Sequence, residues 1–201
     1  TLPSRVFENC LKLREVTIRN QLVTIPSDAF YKAQSIELLD LSINRLEVFP
    51  ALSGLIRLEH LNLAENNLRI FPVDALQDLI VLKKLELREN YFSTSDLPDF
   101  FFKNLSILEH LDLSKNALNS IKFEWFSDLK NLTILEIAHN SIDTLNMKIF
   151  TPLTNIRVLY LDHNNIAELH ANGFDVYHNL RILSLNYNFI NKIERYFFDF
   201  M

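Results

Sequence analysis

The chain has 201 residues, of which 48% are hydrophobic and 22% charged, and its formal net charge is -5. This length is enough to bury a substantial core, and the mildly acidic balance lacks the basic stripe of a nucleic-acid binder. No apolar run approaches the roughly 18 residues that span a bilayer, so the sequence predicts no transmembrane segment in this chain and no nucleic-acid partner.

Motifs of catalysis are absent from the sequence. It has no G-x-S-x-G elbow, no H-E-x-x-H, no P-loop and no paired cysteines. This predicts a protein that is not an enzyme and that binds no cofactor and no metal. Only two glycines occur, Gly54 and Gly173, and this scarcity predicts turns that do not rely on positive φ.

One pattern recurs along the chain. Its clearest copy, Leu108–Leu118, reads LEHLDLSKNAL, which is the spacing L-x-x-L-x-L-x-x-N-x-L. Alternation of period two across Leu111–Leu113 predicts a short strand with one face turned inwards. Copies begin, in chain order, at Leu13, Ile36, Leu58, Leu82, Leu108, Leu132, Ile156 and Leu180. Successive starts are 23, 22, 24, 26, 24, 24 and 24 residues apart, which predicts a solenoid of about eight repeats.

An asparagine ends the strand in each copy, although the first copy is one residue short before Asn20. The side-chain amide can satisfy backbone groups of its own turn and of neighbouring turns, which an aliphatic side chain cannot do. We therefore expect a structural asparagine ladder made of Asn44, Asn66, Asn90, Asn116, Asn140, Asn164 and Asn188.

Two further apolar columns are predicted to point into the core. The first, six residues before each start, should form an aromatic spine: Phe7, Phe30, Leu52, Leu76, Phe102, Phe126, Phe150, Phe174 and Phe198. The second consists of Ile25, Phe49, Phe71, Leu97, Ile121, Leu145, Leu169 and Ile193. Prolines in the convex segments predict turns or short 3-10 pieces rather than full helices. Cys10 lies where other repeats have leucine, so a buried thiol is predicted, with a reactive or metal-binding thiol as the alternative.

The step of 26 residues places two extra residues in Tyr91–Asp96. Insertions in solenoids map to loops, and this one is either a tolerated surface insertion or a partner-contacting loop. Neither end carries a capping cysteine cluster, although a solenoid needs polar caps. We therefore expect residues 1–201 to form a single uncapped domain excerpted from a longer repeat array, or one whose ends associate with another chain as a homo- or hetero-oligomer.

The 24-residue repeat, read in Leu132–Leu153 as LTILEIAHNSIDTLNMKIFTPL, resembles the typical extracellular class of leucine-rich repeat. That class includes Toll-type receptor ectodomains, proteoglycan core proteins and insect immune repeat proteins, and YLDHNNI at Tyr160–Ile166 is most similar to mosquito members. The resemblance implies an α/β horseshoe with a curved parallel sheet, secretion or surface display, and protein binding. Sequons at Asn104 and Asn131 would be surface glycosylation sites if used, although composition alone predicts about two by chance.

Charged residues expected to face outwards from the middle strands form an acidic stripe: Asp40, Glu86, Asp112 and Glu136. The basic side chains close enough to offset part of this charge are Lys84, Arg88, His60 and His110. Two interpretations stay open, a solvated charged face or a site that steers a basic partner surface.

An apolar group follows on the next strands. Ile134, Val158 and Ile182 fall in one outward column, with Tyr160 beside them and Tyr187 at the neighbouring rim. β-Branched residues flanked by tyrosine have the composition of an interface core. Strand propensity alone, or cover by a missing part of the protein, would also account for them.

His139 and His163 occupy equivalent places one repeat apart, with Asp162 adjacent. Stacked imidazoles could bind a metal or sense pH, but repeat equivalence alone explains their alignment and no third ligand is evident. No metal site is therefore predicted.

The sequence thus predicts a non-catalytic module that binds a protein partner on the concave face. It is expected to be secreted or to lie on the extracellular face of the membrane, and to serve innate immunity or development. The alternative is a receptor ectodomain fragment that senses a non-protein ligand such as a glycan or lipid, for which Tyr91–Asp96 is the candidate rim insertion.

Overall fold

Eight short parallel strands form one continuous sheet in a computed structural model of the chain, which describes residues 1–170, 179–195 and 197–198. The strands are β1 (Glu15–Thr17), β2 (Leu38–Asp40), β3 (His60–Asn62), β4 (Lys84–Glu86), β5 (His110–Asp112), β6 (Ile134–Glu136), β7 (Val158–Tyr160) and β9 (Ile182–Ser184). Two shorter strands, β8 (Glu168–Leu169) and β10 (Lys192–Ile193), pair in parallel with each other. The predicted solenoid of short parallel strands is confirmed.

The sheet keeps the same register from one strand to the next. Each three-residue strand turns its central residue inwards, and these residues pair in sequence from Val16 opposite Leu39 to Leu159 opposite Leu183. The first and last residues of each strand project to the other side, because side chains alternate along a strand. We call this side the open face; it is the concave face of the predicted horseshoe.

Apolar residues of the repeated pattern form one continuous core. In the clearest copy, Leu108, Leu111, Leu113 and Leu118 are all fully buried. Their counterparts in the other repeats belong to the same cluster, so neighbouring repeats stabilise one another. Cys10, predicted to be a buried thiol, is only half-buried, because within the described chain its repeat packs on one neighbour.

The segments opposite the sheet are turns and short 3-10 helices, as predicted. Within the described ranges, the 3-10 helices are Phe123–Phe126 and Met147–Phe150. Asn146 caps the second of them, since its side-chain oxygen accepts a hydrogen bond from the Lys148 N–H at 3.0 Å. No helix in this part of the chain has the length and hydrophobicity needed to cross a membrane.

Most of the predicted aromatic spine is buried, but its last member is not. Phe198 is 54% exposed, and the neighbouring Phe197 is buried in its place. The prediction at Phe198 is wrong by one position, because the backbone turns Phe197 inwards and the Phe198 ring packs edge-to-face on it, with the centroids 4.8 Å apart. Ile193 is exposed as well, since β10 pairs on one side only among the described residues. Phe174 lies outside the described residues.

Five phenylalanines pack together in the middle of the core, and we call Phe49, Phe71, Phe92, Phe101 and Phe102 the phenylalanine cluster. The Phe101 ring centroid lies 5.5 Å from that of Phe49, 5.2 Å from that of Phe71 and 5.3 Å from that of Phe102. All three contacts are edge-to-face, the arrangement that the ring quadrupoles favour. Both Phe101 and Phe102 turn inwards, as Trp125 and Phe126 do one repeat later.

The turns that follow the strands rely on positive φ, contrary to the prediction from glycine scarcity. The residue before each ladder asparagine has φ between 53° and 57°: Ile43, Glu65, Glu89, Lys115, His139, His163 and Tyr187. This conformation costs a non-glycine residue about 1–2 kcal/mol. Stacking of the repeats holds it, because the N–H of each of the first six residues is bonded to the next repeat; the His139 N–H, for example, donates to the Asp162 carbonyl at 2.8 Å.

Candidate functional site

The open face carries two different surfaces. Strands β1 to β5 present mainly charged and polar side chains, while β6, β7 and β9 present the predicted apolar group. Register places Asp112 directly between Glu86 and Glu136, whereas Asn62 separates Asp40 from Glu86. The structure therefore brings three of the four predicted acidic residues together and leaves Asp40 apart.

Two carboxylates of the acidic stripe form ion pairs within the protein. Asp40 Oδ2 accepts a hydrogen bond from Arg19 Nη2 at 2.5 Å. Glu86 Oε1 lies 3.0 Å from Lys84 Nζ on the same strand. These pairs offset part of the negative charge that the sequence suggested for this face.

Asp112 and Glu136, neighbours on β5 and β6, have pKa shifts of opposite direction. Burial, aided by the charge of Glu136, raises the pKa of Asp112. It does so although Asp112 Oδ1 accepts hydrogen bonds from the Ser114 N–H at 2.9 Å and the Ser114 hydroxyl at 2.5 Å. The hydrogen bond with His110, 2.8 Å between Nε2 and Oε1, lowers the pKa of Glu136 in spite of its partial burial. The buried charge of Asp112 is thus the unfavourable one of the two.

Asp112→Asn is expected to raise the melting temperature at neutral pH. The folded-state pKa lies above the ordinary value of 3.8, so the folded protein loses stability as pH rises through that window. Asparagine removes the buried charge and keeps an oxygen acceptor for Ser114, and each kcal/mol gained should add about 2–4 °C. Calorimetry across the acidic and neutral range tests this, because the advantage should shrink at a pH below 3.8, where Asp112 is protonated in both states.

Asp162→Asn is the matched control with the opposite sign. Asp162 Oδ1 accepts hydrogen bonds from the Ser184 hydroxyl at 2.5 Å, the Asn186 N–H at 2.9 Å and Asn186 Nδ2 at 2.8 Å. Burial acts to raise the pKa of Asp162, but these bonds outweigh it and the pKa is lowered. The resulting stability is present at neutral pH and is lost as pH falls through the folded pKa. Asp162→Asn should therefore lower the melting temperature at neutral pH; a similar decrease in Asp112→Asn would contradict our account of Asp112.

The apolar residues expected at an interface are direct neighbours on the open face. Ile134 pairs with Val158, Val158 pairs with Ile182, and Tyr160 stands in the adjacent column. The first two and Tyr160 are half-buried, and Ile182 is 45% exposed. We call Ile134, Val158, Tyr160 and Ile182 the apolar patch.

Tyr187 lies at the rim of the sheet in a stack of three rings, which we call the ring stack. The centroids of His139 and His163 are 4.1 Å apart with the planes at 12°, and those of His163 and Tyr187 are 4.3 Å apart at 14°. Partial desolvation, together with the charges of His163 and Lys115, lowers the pKa of His139, although the residue as a whole remains exposed. Sequence reasoning found the two imidazoles but missed that Tyr187 joins them; its place before a ladder asparagine was the available signal.

The ring stack does not have the geometry of a metal site. Imidazole nitrogens direct their lone pairs within the ring plane, and two nearly parallel rings that face each other do not converge on one ion. Within residues 1–170, 179–195 and 197–198, no group of three His, Cys, Asp or Glu side chains could hold a metal ion.

The asparagines predicted as a ladder hydrogen-bond across consecutive repeats. Asn140 Nδ2 donates to the carbonyls of Leu113 and Ile137, both at 3.1 Å, and its Oδ1 accepts from the Leu118 N–H at 3.0 Å. The corresponding bond to Oδ1 forms at Asn44, Asn66, Asn90, Asn164 and Asn188. Each side chain thus bridges its own turn and the preceding repeat.

Asn116 departs from this pattern. Its Nδ2 donates to the carbonyls of Leu87 and Leu113 at 3.1 Å, but its buried Oδ1 has no hydrogen-bond partner among the described residues. For the other ladder asparagines, the donor to Oδ1 belongs to the preceding repeat and lies two residues after the asparagine of that repeat. Leu118, two residues after Asn116, donates in this way to Asn140. Before Asn116 the corresponding residue is Phe92, where the two-residue insertion begins, so the insertion removes one bond from the ladder.

The insertion Tyr91–Asp96 folds back onto the protein. The Ser93 N–H and hydroxyl both donate to Asp96 Oδ2, at 2.7 and 2.8 Å. The Thr94 hydroxyl donates to the Ser120 carbonyl at 2.8 Å, which ties the loop to the next repeat. These bonds anchor the segment rather than letting it project as a lid.

Both sequon asparagines lie on the surface. Asn104 is exposed and left-handed, with φ of 70°. Asn131 is exposed as well, and its Nδ2 donates to the Ser106 carbonyl at 2.9 Å. Because Ser106 completes the sequon of Asn104, the two sequons are adjacent in space.

Known proteins that resemble the chain share its repeats. The family model described as leucine rich repeat matches residues 12–68, 81–142 and 116–166. Podocan-like protein 1 of Homo sapiens is 36% identical over 112 residues, which are 54% of this chain and 22% of that protein. Toll-like receptor 3 of Homo sapiens is 32% identical over 142 residues, 62% of this chain and 16% of the receptor. The glycosylated Toll–Spatzle complex of Drosophila matches with a TM-score of 0.84 at 27% identity, covering 94% of this chain and 27% of that one. The chain thus spans less than a third of each of these relatives.

Proposed function

Because this chain belongs to the leucine-rich repeat family, we propose that it is a non-catalytic recognition module that binds a protein partner on its open, concave face. Its relatives include a Toll-like receptor and a podocan-like protein. The proposed contact surface is the apolar patch, Ile134, Val158, Tyr160 and Ile182, with Tyr187 of the ring stack at its rim.

The continuity of the apolar patch is the observation that carries this proposal. Three β-branched side chains stand on consecutive strands with a tyrosine beside them, although nothing in the fold requires apolar residues on that side of the sheet. Contiguous exposed apolar residues with tyrosine are typical of the core of an interface. Tyr187 is 77% exposed, and stacking on His163 limits its freedom, as suits a binding anchor.

We propose the acidic stripe, made of Asp40, Glu86, Asp112 and Glu136, as the polar flank of the contact surface. Since partners within the protein already pair or hydrogen-bond these carboxylates, their contribution to affinity should be small. Charges beside an interface act mainly on the rate and the orientation of encounter.

The proposed setting is outside the cell, in a secreted protein or on the extracellular face of the membrane, in innate immunity. The similarity to Toll–Spatzle supports this setting, because in that complex a Toll chain binds Spatzle. Glycans at Asn104 and Asn131 are part of the same proposal, and both residues are exposed.

A second candidate function is that of a receptor ectodomain fragment that senses a glycan or lipid. A shallow hollow beside the insertion supports it, lined by Glu47, Asn67, Arg69 and Tyr91. The Arg69 guanidinium lies 5.5 Å from the centroid of the Tyr91 ring, an arrangement that could stack on a sugar.

The double variant Ile134→Glu with Tyr160→Ala is expected to abolish partner capture. Two carboxylate oxygens would stand where apolar side chains meet the partner, and the tyrosine ring would be lost. The immobilised chain is exposed to extracellular fluid of its source organism, and the captured proteins are quantified by mass spectrometry. We expect recovery of specific partners to fall by at least about tenfold, which corresponds to 1.4 kcal/mol.

The matched control is Val73→Glu with Tyr91→Ala, which makes the same changes at exposed residues away from the apolar patch. It should capture as the natural protein does. The melting temperature of each variant shows whether the fold is kept. If Ile134→Glu unfolds the protein because Ile134 is half-buried, the more exposed Ile182→Glu replaces it in the test. Undiminished capture by folded variants of the apolar patch would contradict the proposed site. Loss of capture only in the control variant would favour the hollow at Tyr91.

A further inference from the structure

One column of the sheet edge changes its charge pattern beside the apolar patch. It consists of the residue before each strand: Arg14, Glu37, Glu59, Lys83, Glu109, Thr133, Arg157 and Arg181. The backbones of this column are linked in order, each N–H donating to the carbonyl of the preceding member at 2.7–2.9 Å. Their side chains therefore follow one another at the spacing of the strands, about 4.8 Å.

In the first half of the column, each of the adjacent glutamates Glu37 and Glu59 pairs with a cation on its other side. Arg14 Nη1 lies 3.4 Å from Glu37 Oε1, and Lys83 Nζ lies 2.7 Å from Glu59 Oε2. This is the arrangement expected of a solvated edge, since opposite charges on neighbouring strands stabilise a sheet.

In the second half, two arginines stand side by side. Arg157 and Arg181 are exposed, and the Arg181 N–H donates to the Arg157 carbonyl at 2.8 Å. Within the described ranges, neither guanidinium has an ion pair or a hydrogen bond. Like charges on neighbouring strands are unfavourable for the sheet itself. The pair also runs against the overall charge of the chain, 25 acidic residues against 20 basic ones.

These arginines border the apolar patch directly. Arg157 precedes Val158 and Arg181 precedes Ile182, so the two cations line one edge of the patch. Hydrogen bonds from Ser184 and Asn186 hold the carboxylate of Asp162. Glu109 lines the same hollow as Arg157 but forms no ion pair with it among the described residues. The end of the column beside Val158 and Ile182 is therefore positive.

We infer that the partner binds through an acidic protein segment, whose apolar side chains lie on the apolar patch and whose Asp or Glu side chains reach Arg157 and Arg181. This inference rests on the proposed function. Guanidinium groups bind carboxylates with two parallel hydrogen bonds, and arginine is enriched at interface cores. The acidic stripe repels such a segment from the other half of the open face, which fixes its position.

A protein segment fits this surface better than another polyanion does. A nucleic acid or sulfated glycan could pair with the arginines, but its charged backbone would leave Ile134, Val158 and Ile182 uncovered. The net charge of -5 also opposes a polyanion, whose binding relies on many cations at once.

Selection from a library of random extended peptides displayed on phage tests the inference. The natural chain should enrich peptides in which apolar residues alternate with Asp or Glu. In the double variant Arg157→Glu with Arg181→Glu, the acidic preference should disappear while the apolar preference stays. Affinity for the best acidic peptide should fall by at least about tenfold, since charge reversal replaces attraction by repulsion.

The control variant is Arg45→Glu with Arg57→Glu, which makes the same charge change at two exposed arginines elsewhere. It should keep the acidic preference. Peptides that depend on Ile134 and Tyr160 but ignore charge reversal would overturn this inference and leave the proposed function intact. Binding that survives Ile134→Glu with Tyr160→Ala, or no enrichment at all, would count against both. Heparin or single-stranded RNA that binds through Arg157 and Arg181, with no acidic peptides enriched, would replace the protein segment as the ligand.

Discussion

Replacing Phe101 by alanine should lower the free energy of unfolding by about 3–5 kcal/mol. Phe101 is 2% exposed and makes edge-to-face contacts with Phe49, Phe71 and Phe102. Deleting its ring would remove these contacts and leave a cavity, because the surrounding rings belong to three different repeats and cannot all close in. Denaturation by urea, followed by circular dichroism, measures the loss.

The adjacent Phe100 provides the matched control. It is 56% exposed, so Phe100→Ala should change the free energy of unfolding by no more than about 0.5 kcal/mol. The two variants have the same composition and differ only in which side of the chain loses its ring. Similar losses in both would show that the phenylalanine cluster does not hold the middle of the core as described.

Asn140→Leu should destabilise the protein more than Asn116→Leu does. At Asn116 the change removes two hydrogen bonds, but Leu87 still accepts from Asn90 and Leu113 still accepts from Asn140, so the cost should be about 0.5–1.5 kcal/mol. At Asn140 the carbonyls of Leu113 and Ile137 likewise keep another asparagine donor, but the Leu118 N–H, which donates to Oδ1, loses its acceptor. One additional buried donor without a partner should add about 1–3 kcal/mol.

Native-state hydrogen exchange assigns this difference to a single amide. Exchange of the Leu118 N–H should accelerate in Asn140→Leu more than global destabilisation explains, because its acceptor is gone. Asn116→Leu has no such amide, since its Oδ1 lacks a partner among the described residues. Equal losses of stability at the two positions would contradict the missing bond at Asn116.

The sheet and the apolar patch could be predicted from the sequence because the repeat length alone determines them. Each repeat adds one strand in the same register, so residues 24 positions apart become neighbours. Ile134, Val158 and Ile182 are neighbours by that rule, and the structure has them so.

The repeat pattern does not predict the position of every side chain. The pattern predicted only Phe102 to point inwards, yet Phe101 is buried beside it, as Trp125 is beside Phe126 in a repeat of ordinary length. The two residues added after Asn90 affect the asparagine ladder instead. The same insertion separates Asn116 from the donor that the other ladder asparagines use. Which side chain points inwards depends on local backbone conformation, which the repeat length does not determine.

The sequence pattern also did not predict which charges pair or which conformation the turns adopt. The sequence showed four carboxylates but not that His110 would reach Glu136 on the next strand. Glycine scarcity misled because hydrogen bonds between repeats, and not glycine, stabilise the left-handed residues. The sequence did not single out Arg157 and Arg181, because two arginines 24 residues apart become informative only when the structure shows them side by side without an ion pair.

The left-handed residues have a consequence for how such a protein can diversify. Isoleucine, glutamate, lysine, histidine and tyrosine all occupy this one conformation, at Ile43, Glu65, Lys115, His139 and Tyr187. The conformation favours asparagine and aspartate over β-branched residues, yet this chain places acidic, basic, aromatic and aliphatic side chains in it. Each repeat therefore contributes one rim position at which many side chains occur. Substitutions there can change the surface of the rim while the fold stays the same.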